Sequence, residues 1–340
     1  MWKLTPPSQQ TIDWYLDKKL AGLKNRITSS DKLPDDVKAI LVPNYHDSDT
    51  SDDSELRGLL IEWPQQSFAR NQRLMAEICC LEPYHSNQEE LEKLKKLLVD
   101  VFDYENQISG SKATSYYLTY MQGRFTCTYC NIHYIITAVS GMKHAKGNKL
   151  GKNDEERIAR PQLDHWFDKG DHPLLSLNIF NLIPSCPTCN TTAKGRTHFS
   201  LDTHIHPYLY AEEDPRFKFQ IEKSPNDALF PFQVVLDMRE STPQEKEMIK
   251  ALSLREIYAY YGGLEAKDIY DLVTSFSPVY LQTLFRSLGD KFHLPMENLY
   301  KMIFGVEYQN NNNLDRPLSK LKRDILTQLG FLDVNGKFIL

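Results

Sequence analysis

Four cysteines in two pairs of equal spacing, Cys127-Thr128-Tyr129-Cys130 and Cys186-Pro187-Thr188-Cys189, are the first residues here whose types and spacing suit a chemical task. A two-residue gap lets both sulfurs of a pair face one ion from a tight turn, and four thiolates make a tetrahedral, closed zinc site. The competing reading of a CxxC pair is redox chemistry, but a redox motif sits once, at a strand-to-helix turn. Structural Zn²⁺ held by Cys127, Cys130, Cys186 and Cys189 is therefore expected. Fifty-five residues separate Cys130 from Cys186, more than a compact zinc ribbon contains, so the ion would staple a whole inserted module. The remaining pair, Cys79 and Cys80, lies in an apolar helical stretch and is expected in the core.

Within that module stand Asp164 and His165, followed by Asn181 sixteen residues on and Asn190 nine residues later. Hydrolysis of a phosphodiester needs a base for water and a cation to stabilise the charged phosphate and leaving oxygen. A neutral imidazole can take the proton near pH 7. A carboxylate and an amide oxygen are hard ligands suited to Mg²⁺ or Mn²⁺. A lone Asp-His pair would ordinarily be a surface carboxylate beside a hydrogen-bonded histidine. Here its place between two zinc half-sites gives it more weight.

The order Asp-His, Asn, Asn resembles the HNH (ββα-metal) nucleases. The surrounding wording, CxxC, then Leu163-Asp164-His165-Trp166, then Asn181 to Cys186 and on through Cys189-Asn190 to Lys194, resembles the zinc-containing HNH proteins of bacterial anti-phage defence. It also resembles the HNH subunit of Septu-type and retron-associated systems. The resemblance covers roughly residues 120–210, a quarter of the chain. It implies that His165 activates the water, that Asp164 and Asn190 bind a catalytic Mg²⁺ or Mn²⁺, and that Asn181 braces the loop carrying His165. It further implies that Lys194 holds a phosphate from the start of the short helix, and that His206, in a His-Pro-Tyr element, either touches metal or phosphate or simply packs. Many HNH proteins carry histidine where Asn190 stands; asparagine keeps an oxygen ligand. The implied activity is metal-dependent endonucleolytic cleavage of DNA or RNA, in an anti-phage effector. A catalytically inactive zinc-binding interaction module is the alternative.

Lys143, Lys146, Lys149 and Lys152 recur every third residue in a Gly-containing stretch with no acid until Asp154. The stretch reads equally as a phosphate-gripping loop and as a solvated surface loop.

The elements that must position these residues give an α+β chain: a small zinc-stapled ββα-metal module flanked by mainly helical N- and C-terminal regions. Residues 1–120 read as helical, with apolar stripes at Ile12 to Leu20 and at Leu91 to Val101. Asn87 with Glu90 three residues on resembles a capping box. Residues 121–212 lose helix periodicity; His133 to Val139, Pro161 to Phe167 and Asn181 to Ser185 suit strands, and Pro187 to Lys194 a short helix ended by Gly195. Residues 213–340 carry two strands, Phe217 to Ile221 and Phe232 to Leu236. Helices are then expected at Pro243 to Gly262, Leu264 to Leu288, Met296 to Phe304 and Pro317 to Leu329.

The 340 residues are 41% hydrophobic and 25% charged, ordinary for a globular protein. No run approaches the ~18 apolar residues of a membrane span, and the N-terminal residues lack a signal-peptide core; a cytoplasmic protein is expected. The net charge of −5 is unusual for a free-standing nucleic-acid binder. It points to a protein partner, such as a defence-system ATPase, docked on the helical flanks.

Overall fold

The computed structural model describes residues 2–47, 49–122, 124–139, 157–195, 197–225, 231–275, 278–293, 295–305 and 315–333. Apolar stripes at helical spacing become six helices in the first part of the chain. These are α1 (Gln9–Thr28), α2 (Asp35–Leu41), α3 (Ser54–Ile61), α4 (Pro64–Cys79), α5 (Gln88–Phe102) and α6 (Lys112–Met121). Tyr15, Leu23 and Ile27 form the buried face of α1. Asn87 caps α5, its side chain accepting from the Glu90 amide, as the sequence predicts. Cys79 and Cys80 differ from expectation: α4 buries Leu74 and Ile78 and then ends, leaving Cys79 half-buried and Cys80 exposed.

Among the described residues three two-stranded antiparallel ladders follow, so the chain is α+β with small sheets. β1 (Ala138–Val139) pairs with β2 (Arg157–Ala159), β3 (Gln162–His165) with β4 (Leu182–Ser185), and β5 (Lys218–Lys223) with β6 (Phe232–Asp237). The strand expected over His133 to Val139 is reduced to β1 and one isolated bridge, Thr126 to Tyr134. Its first residues fold back onto the cysteine turn, where the Cys127 amide bonds the His133 carbonyl at 3.0 Å.

Helices return as α7 (Pro243–Ala251), α8 (Leu254–Ser275), α9 (Pro278–Phe292), α10 (Met296–Phe304) and α11 (Ser319–Gln328). A full capping box opens α7, with Thr242 and Glu245 bonding each other's backbone amides. The break expected at Gly262 is absent, and α8 runs straight through it. Gly262 serves close packing: a Cβ there would stand 2.6 Å from Val234 Cγ2 on β6. The actual break comes earlier, at Ser253, whose φ is +48°. Buried side chains from Trp2 to Leu332 form one continuous core. Among the described residues no helix is long and apolar enough to cross a membrane.

Candidate metal centre and catalytic cavity

The four cysteines converge. Their sulfurs lie within 4.8 Å of one another and all four residues are buried. Cys130 Sγ and Cys186 Sγ are 3.9 Å apart. That is far beyond a disulfide of about 2.05 Å and close to the ~3.8 Å edge of a tetrahedron built on Zn–S bonds of 2.3 Å. Backbone amides aim at the sulfurs: Ile132 at Cys130 (3.4 Å), Cys186 at Cys127 (3.3 Å) and Cys189 at Cys186 (3.4 Å). Donors of this kind suit thiolates. The cluster can hold a metal ion such as zinc, and with four thiolate ligands it would be a closed site.

The turn is locked by the C-terminal elements. The Tyr258 hydroxyl of α8 donates to the Cys130 carbonyl, and the Leu318 amide bonds the Asn131 carbonyl at 2.7 Å. Asn131 holds a positive φ of +53°, which asparagine tolerates better than most residues, and its Nδ2 donates to the Arg316 carbonyl at 3.2 Å.

The β3–β4 ladder sets His165 opposite Leu182 and Asp164 opposite Ile183. A short π-helical segment, Thr188–Lys194, follows β4 and ends at Gly195, whose φ of +50° favours glycine. This segment lies along β3: Asn190 Nδ2 donates to Gln162 Oε1 at 2.9 Å, and Lys194 reaches Asp164. Gln162 and Asp164 are two apart on one strand and so share a face. Asp164, His165, Asn190 and Lys194 together line a solvent-open cavity of about 380 Å³, with Arg160, Gln162, Asp168 and Lys169 on its walls.

His165 is half-buried. Its ring meets Tyr104 edge-on with centroids 4.3 Å apart, and its Nε2 lies 3.0 Å from the Ser176 carbonyl. A carbonyl only accepts, so Nε2 carries the proton and Nδ1 keeps its lone pair. Burial lowers the imidazole pKa to about 4, against the raising effects of the Ser176 carbonyl and Asp164. The ring is therefore neutral near pH 7.

The N-terminal helices hold the loop that supplies this carbonyl. Tyr15 of α1 donates to the Leu177 carbonyl at 2.6 Å. Asn178 Nδ2 donates to the Leu59 and Glu62 carbonyls at 2.9 and 3.2 Å, and Phe68 of α4 stacks on Phe167 at 4.9 Å. Asn181, buried, closes the loop after His165. Its Oδ1 accepts from the Phe167 amide at 2.6 Å, and its Nδ2 donates to the carbonyls of Phe167 (3.1 Å) and Leu175 (3.0 Å).

Asp164 is already heavily used. Lys194 Nζ stands 2.9 and 2.8 Å from its two oxygens and also donates to the His165 carbonyl. The Tyr129 hydroxyl donates to Asp164 Oδ2 at 2.5 Å. Burial, and then the Asp164 charge, push the Tyr129 phenol well above its ordinary range, so it stays a donor. Lys194 differs from expectation in two respects. It sits at the last residue of the helical segment rather than its start, and its side chain is only 5% exposed, as is that of Asp164.

His206 is placed apart from the cavity walls, buried against Trp166 with centroids 4.6 Å apart. Its Nδ1 accepts from the Tyr208 amide at 3.3 Å, and burial lowers its pKa to about 3. Lys143, Lys146 and Lys149 lie outside the described residues. Tyr104, Ser176, Gln162 and Tyr129 escaped sequence reasoning. Only Gln162 carried a signal, since strand alternation places it on the face of Asp164. Arg160 and Lys169 also reach the cavity wall.

Compared with protein-family models, with curated proteins and with solved structures, the chain has no match in any of the three.

Proposed function

We propose that this chain is a metal-dependent HNH endonuclease that hydrolyses phosphodiester bonds in DNA or RNA. The observation that carries the reading is the meeting of His165, Asp164, Asn190 and Lys194 on one polar cavity, with His165 anchored through Nε2. In this reading Nδ1 takes a proton from the attacking water, since the ring is neutral and its other nitrogen is committed. Asn181 holds the strand exit so that the ring keeps its aim. Arg160 and Lys169 on the wall offer positive charge to phosphate.

The hard-ligand set fits a divalent ion. Asp164 already accommodates a cation, the Lys194 ammonium, and Asn190 spends its Nδ2 on Gln162, so its oxygen is the ligand atom left over. A bound Mg²⁺ or Mn²⁺ would supply electrophilic stabilisation of the phosphate charge. Lys194 would have to give way on Asp164 for such an ion to enter. The same ion pair favours a second reading, a catalytically inactive zinc-binding interaction module in which Lys194 permanently fills the cation site.

The net charge of −5 supports a partner protein that contributes nucleic-acid surface, and an anti-phage effector working with an ATPase matches the motif resemblance. The test is cleavage of supercoiled plasmid and of total tRNA, with Mg²⁺ or Mn²⁺, by wild type and His165→Ala. Cutting by wild type that disappears in the variant supports the nuclease and names its substrate. Equal cutting by both removes His165 from the chemistry.

A further inference from the structure

The cysteine cluster and the cavity touch through one side chain. Tyr129 stands between Cys127 and Cys130 in the first cysteine turn, is fully buried, and bonds Asp164 Oδ2 at 2.5 Å across 35 residues of sequence. We infer that Tyr129 is a positioning residue that fixes the Asp164 carboxylate from the cysteine turn, so that metal held by the four cysteines sets the geometry of the cavity. The catalytic consequence rests on the nuclease reading; the tie between the two sites does not.

The turn is a firm base for such a tie. The Asn131 amide bonds the Cys127 carbonyl at 2.9 Å, the Trp2 amide bonds Thr128 O at 3.0 Å, and the Thr128 amide lies 3.4 Å from Pro184 O on β4. That same strand pairs Ile183 with Asp164 and leads directly into Cys186. Asp164 thus has its backbone fixed by the ladder and its carboxylate fixed by the turn, and both end at cysteine ligands. Lys194, the other partner of Asp164, sits on a four-carbon stem with more torsions than the Tyr129 side chain. The Tyr129 ring has two torsions and is enclosed, packing edge-on against Phe199 with centroids 6.5 Å apart. Groups that hold a metal ligand in this way commonly change metal affinity or activity by about 10–100-fold when removed.

The test uses the full-length, zinc-loaded chain as wild type, Tyr129→Phe and Asp164→Ala. Mn²⁺ is titrated and followed by electron paramagnetic resonance, and zinc is counted in each sample. Tyr129→Phe is expected to keep one zinc per chain and to bind Mn²⁺ about 10-fold more weakly than wild type, with Asp164→Ala as the blank. Unchanged Mn²⁺ affinity, or loss of zinc together with the hydroxyl, overturns the inference while leaving the nuclease reading standing. A denaturant-unfolding cycle of Tyr129→Phe, Asp164→Asn and the double variant gives the second measurement. The double is expected to lose less than the sum of the singles, and strict additivity overturns the tie whatever Mn²⁺ does. Wild type that binds no more Mn²⁺ than the blank counts against the metal site of the nuclease reading, and the cycle then decides the inference alone.

Discussion

The cysteine cluster, which can hold a metal ion, and the polar cavity proposed to hold another have residues that are neighbours in sequence, yet they are opposites in construction. The cysteine cluster is buried and uniform, all four ligands are soft sulfurs, and its turn is clamped by α8 and the segment before α11. The cavity is open to solvent and mixed, with carboxylates, side-chain amides, one imidazole and several cations on its walls. A closed thiolate site stores folding free energy and leaves no position for substrate. An open site of hard oxygens binds loosely and can exchange water, ion and phosphate. The labour is divided: the C-terminal elements hold the cysteine turn, while the N-terminal helices hold the loop whose carbonyl bonds His165.

That comparison is most severely strained by Cys130→Ser. Losing one thiolate should release the zinc and destabilise the chain by roughly 4 kcal/mol or more, since loss of a metal is among the largest single-residue effects. Zinc counting with a thermal melt checks this, and full zinc content with an unchanged melt would break the staple half of the comparison.

Lys194→Met acts on the other half. Removing one member of a buried ion pair costs about 3–5 kcal/mol, and both side chains here are 5% exposed. Stability should fall, yet Mn²⁺ should bind more tightly because the competing ammonium has gone. If Mn²⁺ affinity falls along with stability, Lys194 belongs to the site rather than competing for it.

Acid should weaken the fold by a smaller amount. Burial holds the His165 pKa at about 4 and that of His206 at about 3, against about 6.5 in an unfolded chain. The unfolded state therefore binds protons first as pH falls. The stability from both neutral rings is fully present above pH 6.5 and is lost as pH drops through 6.5 toward 3. Urea midpoints at pH 7, 6 and 5 should fall, and His206→Leu should make the decline shallower. An identical slope in the variant would remove His206 from this account. Smallest of all is Cys80→Ser, an exposed position, expected to change stability by less than about 0.5 kcal/mol and zinc content not at all.

What was legible in the sequence was local. Identical CxxC spacing announced the cluster, the short extended runs Pro161 to Phe167 and Asn181 to Ser185 announced β3 and β4, and Gly195 marked the end of the segment carrying Asn190 and Lys194. What was illegible was long-range. Nothing near His165 in sequence reveals that Tyr104 lies against its ring or that Tyr15 of α1 secures the neighbouring carbonyl, because only the tertiary packing joins them. Lys194 read as a free cation because spacing does not report burial, and its partner stands 30 residues away. Gly262 read as a helix stop, although its role is to let β6 approach α8. Cys79 and Cys80 read as core because the apolar run continues to the end of α4, where the buried face has already turned away.

A chain that holds a closed structural metal and, in a separate cavity, an exchangeable catalytic one should part with the two unequally. The most direct measurement is to dialyse the protein against EDTA, count its zinc, and then assay nucleic-acid cleavage before and after adding Mn²⁺ alone. One zinc per chain is expected throughout, with no cleavage after dialysis and cleavage restored by Mn²⁺ without added zinc. Cleavage that survives EDTA, or that returns only with zinc, would contradict that expectation.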